Sequence, residues 1–215
     1  MRLNFGLLFV LYSFVPFSVL AQDSTAAIPG NGPTIIVLGD SLSAAYGMEI
    51  SESWPSLLQE RLKGDGYAHR VFNSSITGDT TQSGRARLPR LLDKLQPDIV
   101  ILELGGNDGL RGLPIEVTDK NLSSMIEQSQ SAGAKVILVE MRIPPNYGRT
   151  YTEKFNSMYT ILTEQYGIVL LPFLLQDIAL EPGLMQEDGI HPTALAQPQI
   201  LDQVWVVLEP LLSRK

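Results

Sequence analysis

The chain has 215 residues, 44% of them hydrophobic, and a formal net charge of −7 at pH 7. It contains no cysteine, which excludes a disulfide framework, thiolate metal sites and a cysteine nucleophile. An acidic chain without any run of lysine or arginine is poorly suited to bind nucleic-acid phosphates or anionic membrane surfaces.

The first 21 residues have the layout of a cleavable secretory signal. Arg2 supplies a positive charge, residues 5–20 are almost wholly apolar, and Val19-Leu20-Ala21 ends the segment with small or neutral side chains. A transmembrane anchor is the competing interpretation. However, two serines and a proline interrupt the apolar run, and the run is shorter than the roughly 20 residues that a membrane-spanning helix requires. We expect cleavage after Ala21, a periplasmic or secreted protein, and no stable membrane insertion after cleavage.

The rest of the chain divides into a short linker and one domain. Residues 22–33 are polar or small and contain two prolines and two glycines, which is typical of a linker. Residues 34–215 have a length that suits one hydrophobic core. We therefore expect a single domain over 34–215. We also expect a monomeric protein.

Short apolar runs alternate with helical patterns along this domain. Five runs predict strands: Thr34–Leu38, His69–Phe72, Asp98–Leu104, Lys135–Val139 and Ile168–Leu171. Valine, isoleucine and leucine fill them nearly continuously, as in strands that are covered on both faces. A last helix is predicted from Leu195 to Leu212. The alternation predicts an α/β fold in which helices enclose a five-stranded parallel sheet, with ligands at the carboxyl ends of the strands.

A serine follows the first predicted strand in Gly39-Asp40-Ser41. The glycine permits a sharp turn, and a helix starting directly afterwards would aim backbone N–H groups at an anion. By itself this placement of Ser41 is better explained as a helix cap, because serine-rich loops between strands and helices are common.

Histidine is scarce, and a serine nucleophile requires a base. His69 adjoins Arg70 at the start of a predicted strand, so we expect it at the surface or at the end of the sheet. His191 lies in Asp188-Gly189-Ile190-His191-Pro192, before the last helix. An aspartate three residues ahead can reach Nδ1 of His191 and leave Nε2 directed toward a serine. A solvated loop with an aspartate cap is the alternative.

Two further loops carry groups that can stabilise a negative charge. The Gly78 segment follows the second predicted strand, and Gly105-Gly106-Asn107-Asp108 follows the third. The backbone N–H of Gly78 and the side-chain amide of Asn107 are neutral donors of the kind found in oxyanion holes. When each of them is considered alone, ordinary turn chemistry is the better explanation, because glycine, asparagine and aspartate are common in loops.

Taken together, these segments resemble the SGNH, or GDSL-type, hydrolase family. Four blocks carry the resemblance: Gly39-Asp40-Ser41-Leu42-Ser43, the Gly78 segment, Gly105-Gly106-Asn107-Asp108 and Asp188-Gly189-Ile190-His191-Pro192. Three more stretches look like its exported thioesterase I/arylesterase/lysophospholipase L1-like subgroup: Gly109–Pro114, Arg142–Gly148 and Ala194–Pro198. The similarity runs from about Thr34 to Leu212.

The resemblance implies a flavodoxin-like three-layer α/β/α sandwich and a role for each matching residue. Ser41 would be the nucleophile, His191 the base and then the acid, and Asp188 the carboxylate that orients the histidine. Gly78 and Asn107 would join the Ser41 backbone N–H in the oxyanion hole. The implied substrates are acyl esters and thioesters, and the resemblance implies neither a metal nor an organic cofactor.

Apolar side chains on two carboxyl-end loops are expected to line an acyl groove. The residues are Leu110, Ile143, Pro144 and Tyr147. Two other functions stay open at this point. One is a carbohydrate acetylesterase of the same fold, and the other is a non-catalytic exported module that binds lipids.

Two acidic residues near the predicted site have other expected roles. Asp40 adjoins Ser41, and because sequence neighbours tend to point apart, we interpret it as a brace within its loop. Glu103 lies near the end of a buried strand, and we expect it to pair with an arginine such as Arg142.

Overall fold

Five parallel strands form one sheet in the computed structural model, which describes residues 32–213. The strands are β1 (Thr34–Gly39), β2 (Arg70–Asn73), β3 (Ile99–Glu103), β4 (Lys135–Val139) and β5 (Val169–Leu171). Their order in the sheet is β2-β1-β3-β4-β5. This is the flavodoxin-like order, and it confirms the parallel α/β fold that the sequence predicts.

The burial of strands β1 and β3 explains why polar and apolar residues do not alternate in their sequences. β1 and β3 are buried along their whole length, with Ile35 paired to Ile99 and Gly39 to Glu103. Every side chain on such a strand meets helices on one face or the other, so apolar residues are favoured at successive positions. The polar exceptions are Thr34 at the start of β1 and Glu103 at the carboxyl end of β3.

Helices cover both faces of the sheet. They are α1 (Trp54–Gly64), α2 (Thr81–Leu95), α3 (Gly106–Leu110), α4 (Ile115–Ser131), α5 (Arg149–Tyr166) and α6 (Gln197–Leu208). α1 packs against α6 in one layer, and α4 packs against both α2 and α5 in the other. The apolar stripe of each long helix faces the sheet, which gives the predicted three-layer sandwich its core.

Two predicted helical segments differ from what is observed. No helix follows Ser41 directly: residues 41–47 form turns, in which Ala45 and Gly47 have φ of 59° and 72°. Left-handed backbone of this kind ends a helical turn before it can propagate. The last predicted helix is divided into a 3₁₀ turn, α6 and a second 3₁₀ turn, and Pro198 lies in the first turn of α6.

The predicted signal segment 1–21 and linker residues 22–31 lie outside the described residues. Within residues 32–213, no helix is long and apolar enough to cross a membrane.

The strand order determines where a ligand can bind. From β1 the chain moves outward to β2 and then returns past β1 to β3. The loops after β1 and β3 therefore diverge to opposite faces of the sheet and leave a crevice at its carboxyl edge. Ser41 and Asn107 follow these two strands by a few residues.

Candidate active site

Three side chains form a hydrogen-bonded chain at this edge. The Oγ of Ser41 lies 2.9 Å from Nε2 of His191, and Nδ1 of the same ring lies 2.6 Å from Oδ2 of Asp188. Ser41 and His191 are 150 positions apart in sequence, so only the tertiary fold brings them together. The geometry is that of a nucleophile, a base and an orienting carboxylate.

Asp188 is held in place by its own loop. Its Oδ1 accepts hydrogen bonds from the backbone N–H groups of Ile190 at 2.9 Å and of His191 at 3.0 Å. The hydrogen bond to the His191 ring, followed by these two backbone bonds, lowers the pKa of Asp188 to about 2. The carboxylate is therefore ionised at neutral pH and accepts the Nδ1 proton, which leaves Nε2 free to act as a base.

Tyr46 supports the histidine ring from the side, and the sequence reasoning missed it. Its ring centroid lies 4.2 Å from that of His191 at an interplanar angle of 36°. Gln186 ties the two segments together, because its Nε2 donates to the carbonyl of Tyr46 and to that of Pro192, both at 2.9 Å. The only signal in the sequence was an aromatic residue five positions after Ser41, which is too common to be diagnostic.

Two backbone N–H groups near Ser41 are available to a ligand. Among the hydrogen bonds of residues 32–213, none is donated by the backbone N–H of Ser41 or of Gly78. Gly78 has a φ of +78°, which L side chains rarely adopt, so glycine suits this turn. Free backbone donors on adjoining loops are what an oxyanion site requires.

The Asn107 amide is oriented by an aspartate. Its Nδ2 donates to Oδ2 of Asp40 at 3.0 Å, while Oδ1 of Asp40 accepts from the backbone N–H of Leu42 at 3.1 Å. An amide nitrogen has two hydrogens, so the second one is left for a ligand. The expected role of Asp40 as a brace within its loop matches the hydrogen bond from Leu42, and Asp40 also links this loop to Asn107 in α3, the short helix after β3.

Glu103 does not pair with Arg142, contrary to the sequence-based expectation. Arg142 is exposed and pairs with Glu140 at 3.0 Å. Glu103 is fully buried, and its Oε2 accepts hydrogen bonds from the Asp40 backbone N–H at 3.0 Å and from the Ser43 hydroxyl at 2.7 Å. Arg142 follows β4 rather than β3, and its long side chain remains at the surface, where solvation of the guanidinium is favoured.

A cleft of about 430 Å³ opens beside the Ser41 hydroxyl and the His191 ring. Most of its wall is apolar, with Leu42, Leu110, Met141, Ile143, Pro144 and Phe173 among the lining residues. Three of the four residues predicted to line an acyl groove are therefore found in the wall. A largely apolar cleft next to a small number of polar groups is the usual form of a small-molecule site.

The fourth predicted residue, Tyr147, lies elsewhere. It does not line the cleft, and its hydroxyl instead donates to the carbonyl of Leu110 at 2.7 Å. Tyrosine at this position links the loop after β4 to α3, because its hydroxyl satisfies a backbone acceptor. Sequence reasoning also missed the segment after β5, from which Phe173, Leu175 and Met185 reach the cleft. Its apolar run at a carboxyl strand end was the signal that could have found it.

Two other polar residues near the site stabilise its loops. Asp79 forms an ion pair with Arg87 at 2.6 Å, and buried Asp108 accepts a hydrogen bond from the backbone N–H of Thr81 at 2.9 Å.

His69 was expected at the surface or at the end of the sheet; it directly precedes β2 but is only 3% exposed. Burial lowers its pKa. Within residues 32–213, no group of three or more His, Asp or Glu side chains is placed to hold a metal ion.

Comparison with known proteins gives consistent matches over the whole fold. The model of the GDSL-like lipase/acylhydrolase family matches residues 37–197. Esterase TesA of Pseudomonas aeruginosa is 48% identical over 179 residues, which cover 83% of this chain and 89% of that protein. Thioesterase 1/protease 1/lysophospholipase L1 of Escherichia coli is 42% identical over 211 residues, or 98% of each chain. The solved structure of a psychrotrophic esterase EstA from Pseudoalteromonas sp., inhibited by monoethylphosphonate, matches with a TM-score of 0.80 and 41% identity, covering 82% of this chain and 97% of that one.

Proposed function

The chain belongs to the GDSL-like lipase/acylhydrolase family, and from this premise we propose that it hydrolyses acyl esters and thioesters through a covalent intermediate on Ser41. Its relatives at 42% to 48% identity are named as an esterase and as a thioesterase and lysophospholipase, and the chain is a serine hydrolase of this kind. The observation that carries the assignment of residues is the continuous chain from Ser41 through His191 to Asp188, at 2.9 Å and 2.6 Å.

The first half of the reaction transfers the acyl group to the enzyme. The Oγ of Ser41 attacks the carbonyl carbon while Nε2 of His191 accepts the hydroxyl proton. Collapse of the tetrahedral intermediate breaks the bond to the alcohol or thiol, which takes the same proton from Nε2 and leaves. In the second half, a water molecule gives its proton to Nε2 and attacks the acyl carbon. The acid is released, and Oγ of Ser41 recovers a proton.

Three donors would stabilise the negative oxygen of the tetrahedral intermediate. They are the backbone N–H groups of Ser41 and Gly78 and the free N–H of the Asn107 amide. All three are neutral, and two of them belong to the backbone, so their positions are determined before the substrate binds. Preorganised donors of this kind stabilise the transition state more than the substrate, which is why they raise the rate.

The cleft wall favours acyl chains over sugars. Its lining is largely aliphatic, and Ile190 beside the catalytic histidine is 49% exposed, which leaves its side chain available to a chain in the cleft. A sugar platform needs several polar partners for ring hydroxyls, whereas an acyl chain needs only apolar contact. We therefore propose medium or long acyl esters and thioesters, including lysophospholipids, as the substrate class.

A hydrolysis panel on an Ile190→Ser variant tests this substrate class. Removing apolar contact should lower kcat/KM for a long-chain p-nitrophenyl ester by about five- to tenfold, because each lost methylene contact costs about 0.8 kcal/mol. The loss should be smaller for the acetyl ester, whose two-carbon acyl group has little apolar surface to bury against this side chain. The panel also includes acyl-CoA thioesters with the same acyl-chain lengths, in which the leaving group is a thiol instead of p-nitrophenol.

Leu195→Ser is the matched control for this panel, because Leu195 is 73% exposed and does not line the cleft. It should leave the dependence on chain length as in the wild type. An equal loss for both chain lengths in Ile190→Ser, or faster hydrolysis of acetylated xylan than of long-chain esters by the wild type, would exclude an acyl-chain site.

We also propose that the protein is exported and acts as a monomer. N-terminal sequencing of the protein from a periplasmic fraction should find Gln22 as the first residue, and size-exclusion chromatography should give the mass of one mature chain. Leu11→Arg, which places a charge in the apolar run, should keep the protein inside the cell in its full length. Recovery of Met1 on the exported protein would contradict signal cleavage.

A further inference from the structure

Two acidic side chains lie buried beneath the nucleophile. Asp40 is 3% exposed and Glu103 is 0% exposed. The Asp40 carboxylate accepts from Leu42 and Asn107, whereas both donors to Glu103 bind the single oxygen Oε2. The other oxygen, Oε1, has no hydrogen-bond partner among the described residues. Burying a carboxylate oxygen that has no hydrogen-bond partner costs free energy, and the cost is high when the group is ionised. The protonation state of the Glu103 carboxyl group therefore needs an explanation.

Nearby charges do not compensate the pair. Tyr159 of α5 approaches from one helix layer, and its hydroxyl carries no positive charge at neutral pH. His191 acts on Asp40 only by a weaker long-range attraction, and Arg142 is engaged by Glu140. Two ionised carboxylates in such surroundings would repel each other in a poorly solvated site, which favours retention of one proton between them.

We propose that Glu103 is a positioning residue for the reaction on Ser41, and that it holds a proton which it shares with Asp40 throughout turnover. The proposal rests on the function proposed above. Each carboxyl group accepts two hydrogen bonds, but those of Asp40 occupy both of its oxygens and those of Glu103 only one, so Asp40 is the ionised partner and Glu103 the neutral one. Burial, followed by the charge of Asp40, raises the pKa of Glu103 well above its usual value, and burial raises that of Asp40 to about 6.

Hydrogen bonds connect the buried pair to the nucleophile and to the oxyanion donors. Glu103 accepts from Asp40 N–H and from Ser43, and these bonds fix the turn that carries Ser41 between them. Asp40 in turn orients the Asn107 amide. Ionisation or removal of Glu103 would therefore shift Ser41 and Asn107 together, and a displacement of about 1 Å at such a site can cost up to about 10²-fold in rate.

Two variants of Glu103 separate positioning from simple packing. Glu103→Gln keeps an acceptor oxygen for Ser43 and a donor for Asp40, so it imitates the neutral acid, and we expect a kcat within about threefold of wild type. Glu103→Met has a similar size but no acceptor, and we expect kcat to fall by about 10- to 100-fold with KM little changed. Equal losses of kcat in both variants would overturn the proposal.

The pH dependence of unfolding provides a test that requires no substrate. A carboxyl whose pKa is raised in the folded state stabilises the fold fully below its ordinary pKa of about 4.3, and this stability declines as the pH rises toward the raised value. Glu103→Gln cannot ionise. The Tm of the wild type should therefore fall relative to that of Glu103→Gln as the pH is raised from 4 to 8.

Leu62→Ala is the control for destabilisation without a change in titration, because Leu62 is fully buried near the end of α1 and carries no charge. Its Tm should be lower than that of the wild type by a nearly constant amount across the same range of pH. A constant difference between wild type and Glu103→Gln would show that Glu103 is ionised and would refute the proposal. This outcome does not depend on hydrolysis, so it is distinct from a failure of the proposed function.

Discussion

Ser41→Ala should lower kcat for p-nitrophenyl esters by about 10⁴-fold or more, because the attacking oxygen is lost while the oxyanion donors remain. The same variant should not be labelled by a fluorophosphonate probe, which reacts only with an activated serine. Purified mature protein and a plate assay of p-nitrophenol release are sufficient for the measurement. Hydrolysis at the wild-type rate by Ser41→Ala would refute the assignment of the nucleophile.

Two comparison variants make this result specific. Ser157→Ala alters an exposed serine on α5 and should react like the wild type in both assays. Asn107→Ala removes one oxyanion donor and should lower kcat by about 10²- to 10³-fold, yet the probe should still label Ser41. Absence of labelling in the wild type would instead favour the non-catalytic lipid-binding module.

Asp188→Asn should lower kcat by about 10⁴-fold, since an amide at this position can donate to Nδ1 and so stabilise the wrong tautomer of His191. The pKa of Asp188 is lowered to about 2, so the wild-type carboxylate is ionised at every pH above about 3. The folded-state contact is present above the ordinary aspartate pKa and is lost only as the pH falls toward 2. Loss of activity at mildly acidic pH therefore does not report protonation of Asp188.

A pH–rate profile from pH 5 to 9 checks this prediction. The defect of Asp188→Asn should persist across the whole range, because the variant has no carboxylate to recover. Asp202→Asn is the matched control: it removes an exposed carboxylate on α6 that pairs with Arg61 of α1 in the same helix layer, and it should retain the wild-type profile. If Asp188→Asn regained activity at high pH, the orienting role of Asp188 would be wrong.

Features of the site that depend on residues close together in sequence could largely be predicted from the sequence. Asp188 and His191 lie three residues apart, so their contact depends on one turn of backbone, and the pattern predicts it directly. The five strands were equally clear, because continuous burial leaves continuous apolar runs in β1 and β3. The small number of histidines also helped, since only two had to be considered and one of them lies directly before a strand.

Contacts between segments that are far apart in sequence could not be predicted in the same way. The expected pairing of Glu103 with Arg142 relied on opposite charge, but burial of Glu103 beside Asp40 excluded it. Tyr147 was assigned to the groove because it lies on an apolar carboxyl-end loop, yet its hydroxyl donates a hydrogen bond to the Leu110 carbonyl instead. The direction of a side chain within a loop depends on partners that no spacing rule specifies.

The sequence by itself determined the alternation of strands and helices, the Asp188–His191 unit and the residue types available for nucleophile and oxyanion donors, because each of these is local. Only the tertiary structure decided which serine meets that histidine, how Asp40 links Ser41 to Asn107, and which apolar loops enclose the cleft. The physical reason is the strand order, which brings the ends of β1 and β3 together at one crevice. Packing in that crevice also excluded water from Glu103, and this burial sets its charge.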